Sequence, residues 1–118
     1  MRNTVAHELV QRSLLGEALD PGPVAVFVAD DDQKYLAVNA YACTLLGYSR
    51  KELLALQVTE VAVNEGAAED FDAMLRAGSG AGSTILRHRD GTEIPMRYLA
   101  SATTIGGIRL WVSVCWPD

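Results

Sequence analysis

The sequence is poor in cysteine and histidine, and nowhere does it concentrate positive charge. Its two cysteines, Cys43 and Cys115, lie far apart and make no metal-ligand spacing. Two thiols in 118 residues are also no framework for a disulfide-dense secreted scaffold. Both read as buried thiols, because free cysteine is among the most buried residue types. Lys and Arg gather into no patch and the net charge is -5, so nucleic acid is not an expected partner. The acidity mainly favours solubility. No apolar run approaches the roughly 20 residues that a membrane span needs, so no membrane contact is expected. Met1 to Leu15 carry Glu8 and Arg12 where a signal peptide is apolar, and the segment reads as cytoplasmic. Internal repeats and low-complexity tails are missing too.

What is present suits one domain with one core: 118 residues, 49% hydrophobic and 21% charged. Such a balance is that of a folded chain, since disorder goes with low hydrophobicity. Val5 to Leu19 is predicted to be an amphipathic helix, with Val10, Leu14, Leu15 and Ala18 at helical spacing. Asp20-Pro21-Gly22-Pro23 stops it. The division expected is a leader over 1–20 and a domain over 21–118.

Val24 to Ala29 and Lys34 to Val38 read as a hairpin around Asp30-Asp31-Asp32. A short helix over Ala40 to Leu46 follows, with Gly47 suited to its C-terminal cap. Ser49-Arg50-Lys51-Glu52 has the spacing of a capping box and opens another helix, whose apolar side is Leu53, Leu54 and Leu56. Thr59 is placed to cap one more turn through Ala62. Ala67 to Ala77 reads as a helix with Glu69, Asp70 and Asp72 in its first turns, where the helix dipole favours acids. Gly78 to Ser83 reads as a loop. It is no phosphate cradle, because a strand follows in place of a helix or a lysine. Strands are expected over Thr84 to Arg89 and Thr92 to Ala102, joined at Asp90-Gly91, and over Ile108 to Trp116 after Gly106-Gly107. This order implies an α+β fold, one five-stranded antiparallel sheet with helices on one face.

Tyr35 to Leu54, with Asn39 at a strand end, Gly47-Tyr48-Ser49 after a short helix, and Glu52-Leu53-Leu54 beyond, resembles the central signature of the PAS (Per-Arnt-Sim) family. Arg87-His88-Arg89-Asp90-Gly91-Thr92-Glu93-Ile94-Pro95-Met96 resembles its second block. The likeness spans about 21–116. It implies a PAS/profilin-like sheet in the order 2-1-5-4-3 with helices cupped over one face, and in many members a ligand between the layers. It also implies that Asn39 ties a strand end to the next helix and that Glu52 pairs with Arg89.

Strand alternation gives two sets of residues per strand, and the resemblance selects the inward one. Phe27 and Ala29 face inward on the first strand, Tyr35 and Ala37 on the second, Leu86 and His88 on the third. Met96, Tyr98 and Ala100 do so on the fourth, and Trp111, Ser113 and Cys115 on the fifth. The ligand-binding residues implied are Phe27, Tyr35, Leu86, His88, Met96, Tyr98, Trp111, Ser113 and Cys115. Tyr98, Ser113 and His88 supply the polar groups that a mostly apolar pocket needs. The alternative is that they satisfy one another in a filled core. Arg87 and Arg97 point outward by the same alternation. Leu110, Val112, Val114 and Trp116 make the outer side of the last strand apolar as well, so it needs a cover. The leader helix or a partner subunit is expected to provide it.

No metal is expected. A calcium loop counted from Asp30 would need Gly and Glu where Tyr35 and Tyr41 stand. Haem and FMN are disfavoured. His7 lies in the leader and His88 on a strand, away from the helix that carries the haem ligand in the family. The Asn-Cys-Arg motif of the flavin-binding members is absent between Leu56 and Phe71. Cys115 and His88 lack an orienting acid and an oxyanion hole, so no enzyme is expected. Two readings stand. One is a sensory domain of a larger regulator, such as a kinase, cyclase or transcription factor, that binds a small organic ligand and acts on an output domain outside these residues. The other is a ligand-free homodimerisation module using the leader and the outer sheet face.

Overall fold

A computed structural model describes residues 19–118; the expected leader, apart from Leu19 and Asp20, lies outside them. Five strands form one antiparallel sheet: β1 (Ala25–Ala29), β2 (Tyr35–Val38), β3 (Ser79–Arg87), β4 (Glu93–Ile105) and β5 (Ile108–Pro117). Their order across the sheet is β2-β1-β5-β4-β3. Four helices lie between β2 and β3 in sequence: α1 (Ala40–Leu46), α2 (Arg50–Leu54), α3 (Val58–Val61) and α4 (Ala67–Ala77).

Local chemistry sets the helix ends. Asn39 caps α1, its Oδ1 accepting from the Ala42 N–H at 3.0 Å. The same oxygen accepts from Val26 N–H, and Nδ2 donates to the carbonyls of Val24 and Leu19. One buried amide thus ties β1, the entry to the domain and α1 together. Gly47 ends α1 at φ 76°, and a Cβ there would lie 2.5 Å from the His88 ring. The Ser49 hydroxyl accepts from Glu52 N–H at 3.1 Å, while Glu52 accepts from Ser49 N–H at 2.9 Å. Glu52 also accepts from Arg89 at 2.9 Å, the pairing that the resemblance implied. The Ser49 backbone bond chiefly, with Arg89 behind it, holds the Glu52 carboxyl below its usual range.

Four local expectations change. The α3 cap is Gln57, whose N–H donates to Glu60 at 2.9 Å, while Thr59 turns aside to donate to Gln33 at 3.0 Å. The stretch Ser79–Ser83 is strand, not loop. β4 runs on to Ile105 and pairs with it from Ser79↔Ser101 onward, so tertiary pairing overrides the weak strand preference of glycine and serine. β3 stops at Arg87, because His88 N–H bonds Thr92 and Arg89 N–H bonds Leu46, turning the chain toward α1. In β2 the register slips at Leu36, where Val28↔Ala37 is followed by Ala29↔Tyr35. Tyr35 and Val38 are therefore both buried and Ala37 is exposed, because a bulge breaks strict alternation.

The inner face of the sheet meets two different neighbourhoods. Below α1 and α2, Leu46, Leu53 and Met96 are fully enclosed with Ala25 and Ala42 in a packed core. Below α4, Phe71 and Met74 meet Ala100 and Trp111 in a second cluster.

Candidate functional site

Between these clusters lies a cavity of about 90 Å³. Its floor is the middle of the sheet: Phe27 and Ala29 of β1, Tyr35 of β2, Thr84 and Leu86 of β3, Tyr98 and Ala100 of β4, and Trp111, Ser113 and Cys115 of β5. Its roof is Val58 and Ala62 with Asn64, and then Ala67, Asp70, Phe71 and Met74 on one side of α4. The α4 spacing of three, four and seven residues puts those four side chains on one helix face. Glycine shapes the β3 side. A Cβ on Gly82 would stand 3.6 Å from the Tyr98 ring, and one on Gly80 would press within 3.3 Å of Met74.

The walls are mostly apolar, and some of their polar groups are already engaged. Thr84 donates to Asn64 Oδ1 at 2.9 Å. The Trp111 indole donates to Asp31 at 2.7 Å, which gives the middle residue of the Asp30-Asp31-Asp32 turn a structural role. Arg109 lies 4.5 Å over the Trp111 ring and donates to the Leu75 carbonyl at 2.7 Å. It thus fastens the end of α4 to β5. Ser113 Oγ and Cys115 Sγ stand 3.8 Å apart.

Two hydroxyls are different. Among the described residues, Tyr35 and Tyr98 have no hydrogen-bond partner for theirs, although Tyr35 is only 7% exposed. Every fully enclosed polar side-chain atom among those residues is paired, so the Tyr35 hydroxyl borders the open space. Burial, with Cys115 adding to it, pushes the Tyr35 hydroxyl pKa up. Burial does the same to Tyr98, followed by the charges of Asp70 and Cys115. It also pushes the Cys115 thiol up to about 11, against a small opposing effect of the Ser113 bond. All three groups are therefore neutral donors at neutral pH.

Seven of the nine anticipated residues line this space: Phe27, Tyr35, Leu86, Tyr98, Trp111, Ser113 and Cys115. His88 and Met96 do not. His88 lies past the end of β3, stacked on Gly47, its Nδ1 accepting from Asp90 N–H at 3.0 Å. Met96 points inward as alternation requires, but the helices above it are packed solid. Val58, Ala62, Asn64, Thr84 and the α4 residues were missed; for α4 the 67, 70, 71, 74 spacing was the available signal. Arg87 and Arg97 are exposed.

Among the described residues, no imidazole lines the cavity. Its volume falls below the roughly 300 Å³ at which pockets for drug-sized ligands begin. No group of three His, Cys, Asp or Glu side chains among the described residues is arranged to hold a metal. No helix among them is long and apolar enough to cross a membrane.

A sheet in this order under a cap of short helices, with a cavity between the layers, defines a class of small sensory domains. The chain belongs to the PAS domain family, whose profile matches residues 23–115. PAS domains are sensory modules rather than enzymes. No curated protein matches the chain in sequence. Among solved structures it is similar to the PAS domain of an HTR-like protein from Haloarcula marismortui, at 19% identity and TM-score 0.80, covering 100% of each chain. It is also similar to a domain of a sensory box sensor histidine kinase/response regulator from Geobacter sulfurreducens, at 25% identity and TM-score 0.74, covering 93% of this chain and 96% of that one. A LOV domain of a blue-light activated histidine kinase from Erythrobacter litoralis aligns at 19% identity and TM-score 0.68, over 81% and 96%.

Proposed function

We propose that this domain is the cytoplasmic sensor segment of a larger signalling protein and that it takes a small organic molecule into the cavity. The observation that carries this reading is the mostly apolar cavity between sheet and helices, on which the Tyr35 and Tyr98 hydroxyls are polar groups without a partner among the described residues. A ligand with a matching polar atom can pair with those hydroxyls while its apolar part fills the cavity. Occupancy alters output only if the ligand prefers one of two conformations.

Native mass spectrometry of the purified chain, repeated on Gly82→Leu, tests this. Gly82 has ordinary backbone geometry and a Cβ there meets the Tyr98 ring, so leucine fills the space without straining the strand. A bound small mass that the variant loses, with thermal unfolding little changed, is the expected outcome. A wild-type chain that binds nothing from a metabolite mixture, by mass or by stability, overturns the reading.

A second reading, a homodimerisation module, is favoured by the outer sheet face. Leu99 there is 56% exposed, beside the half-buried Val112, Val114 and Trp116. A dimer without bound mass, which dissociates when residues 1–18 are deleted, would support it.

A further inference from the structure

Five of the eight aromatic residues in the chain line this one cavity: Phe27, Tyr35, Phe71, Tyr98 and Trp111. Phe27 and Tyr35 are tilted against each other with ring centroids 5.4 Å apart. Ring faces carry negative electrostatic character and attract organic cations. Among the described residues, the one charged residue on the lining is Asp70, and no Lys or Arg belongs to it.

Asp70 lies in the first turn of α4, where the helix dipole favours an acid, and at the edge of the helix face that roofs the cavity, between Ala67 and Phe71. Its carboxylate is exposed, so it forms the lip rather than the floor. It is near enough to Tyr98 to help burial hold that hydroxyl protonated. Helix α4 contributes about half a positive charge at its N-terminus. Glu69 and Asp70 in its first turn outweigh that. The adjoining groove holds one charge of each sign, Glu69 and Arg87. Arg109, over the Trp111 ring, faces Asp31 at 3.9 Å, so among the described residues the charge at the Asp70 edge is negative, which disfavours carboxylate and phosphate ligands and draws cations.

Resting on the reading of the cavity as a ligand pocket, we propose that its ligand is a small organic ammonium ion, with its short apolar chain on the aromatic floor and its charge at the Asp70 lip. The Tyr98 hydroxyl oxygen, on the Asp70 side of the cavity, accepts a hydrogen bond from the ammonium N–H groups. The space limits the chain length. About 90 Å³ stands against the roughly 10–15 Å³ that one water-sized sphere fills, so the ligand has a handful of heavy atoms.

The test compares three probes of nearly equal shape on the full chain at constant ionic strength: n-butylammonium, 1-butanol and butyrate. Binding is read from the Trp111 indole N–H and the Phe71 and Tyr98 amide resonances in ¹⁵N–¹H spectra, on wild type and on Asp70→Asn. The expected result is butylammonium binding about tenfold or more tighter than butanol, with no saturable shift from butyrate. Asp70→Asn should erase the advantage and leave butanol binding unchanged within about twofold. Butanol matching the amine, or the variant keeping the preference, overturns the ammonium assignment while the pocket stands. Silence from all three probes overturns both.

Discussion

Asn39 uses both halves of its amide on backbone groups from three parts of the chain. Asn39→Ala leaves two N–H groups and two carbonyls without those bonds, in a position that is almost entirely buried. The expected cost in urea denaturation is about 2–4 kcal/mol. Asn39→Asp keeps the acceptor but turns a carboxylate oxygen toward the Val24 and Leu19 carbonyls, so it should cost at least as much as Asn39→Ala; a clearly milder loss would show that the donor side carries little. This residue was legible beforehand because the resemblance to the PAS signature implied that it ties a strand end to the next helix. His88 was not. Its direction depends on where β3 ends, and that is decided by a bond from Arg89 N–H to Leu46, distant in sequence. Met96 shows another limit. Alternation gives the side of the sheet that a residue faces, but whether a void or a packed helix lies above it depends on the whole cluster of helices.

At the scale of elements, the α1–α2 corner and the β3–β4 turn are one assembly. Gly47 has both a left-handed backbone and the His88 ring against it. Gly47→Ala should destabilise by about 1–3 kcal/mol, and by about 1 kcal/mol less in a His88→Ala background, where the steric part is gone. Strictly additive costs in a double-mutant cycle would show that the ring yields freely. Helices α1, α2 and α4 were readable to the residue or nearly so, since asparagine, serine and glycine caps are local signals. The bulge at Leu36 and the glycine-rich half of β3 were not. Both arise from pairing with strands elsewhere in the chain, and an isolated strand sequence carries no record of its partner.

For the molecule as a whole, the burial of Cys115 links stability to alkaline pH. Below pH 9, the thiol's usual value, it is protonated in both folded and unfolded states, and stability is complete. Between pH 9 and about 11 the unfolded chain gives up the proton while the folded one keeps it. Stability falls across that window, by about 2–3 kcal/mol in total. Tyr35, raised for the same reason, adds a loss of the same sign at higher pH. Denaturant midpoints at pH 8, 9, 10 and 11 should decline in wild type and decline less in Cys115→Ala. Parallel profiles would refute the thiol's share.

The strand order has a kinetic consequence. β5 is the last strand in sequence, yet it lies between β1 and β4, with Ala25 opposite Cys115. Before it is available, the β1–β2 pair and the β3–β4 pair have no hydrogen-bonded connection to each other. Closing that long loop carries an entropic cost that no local contact offsets, so folding is slower than in a chain of local pairings. During synthesis, β1 must wait on the ribosome until the residues from Ile108 onward have left the exit tunnel. A nascent chain halted before Ile108 carries two unjoined halves, each with an unpaired edge open to other chains.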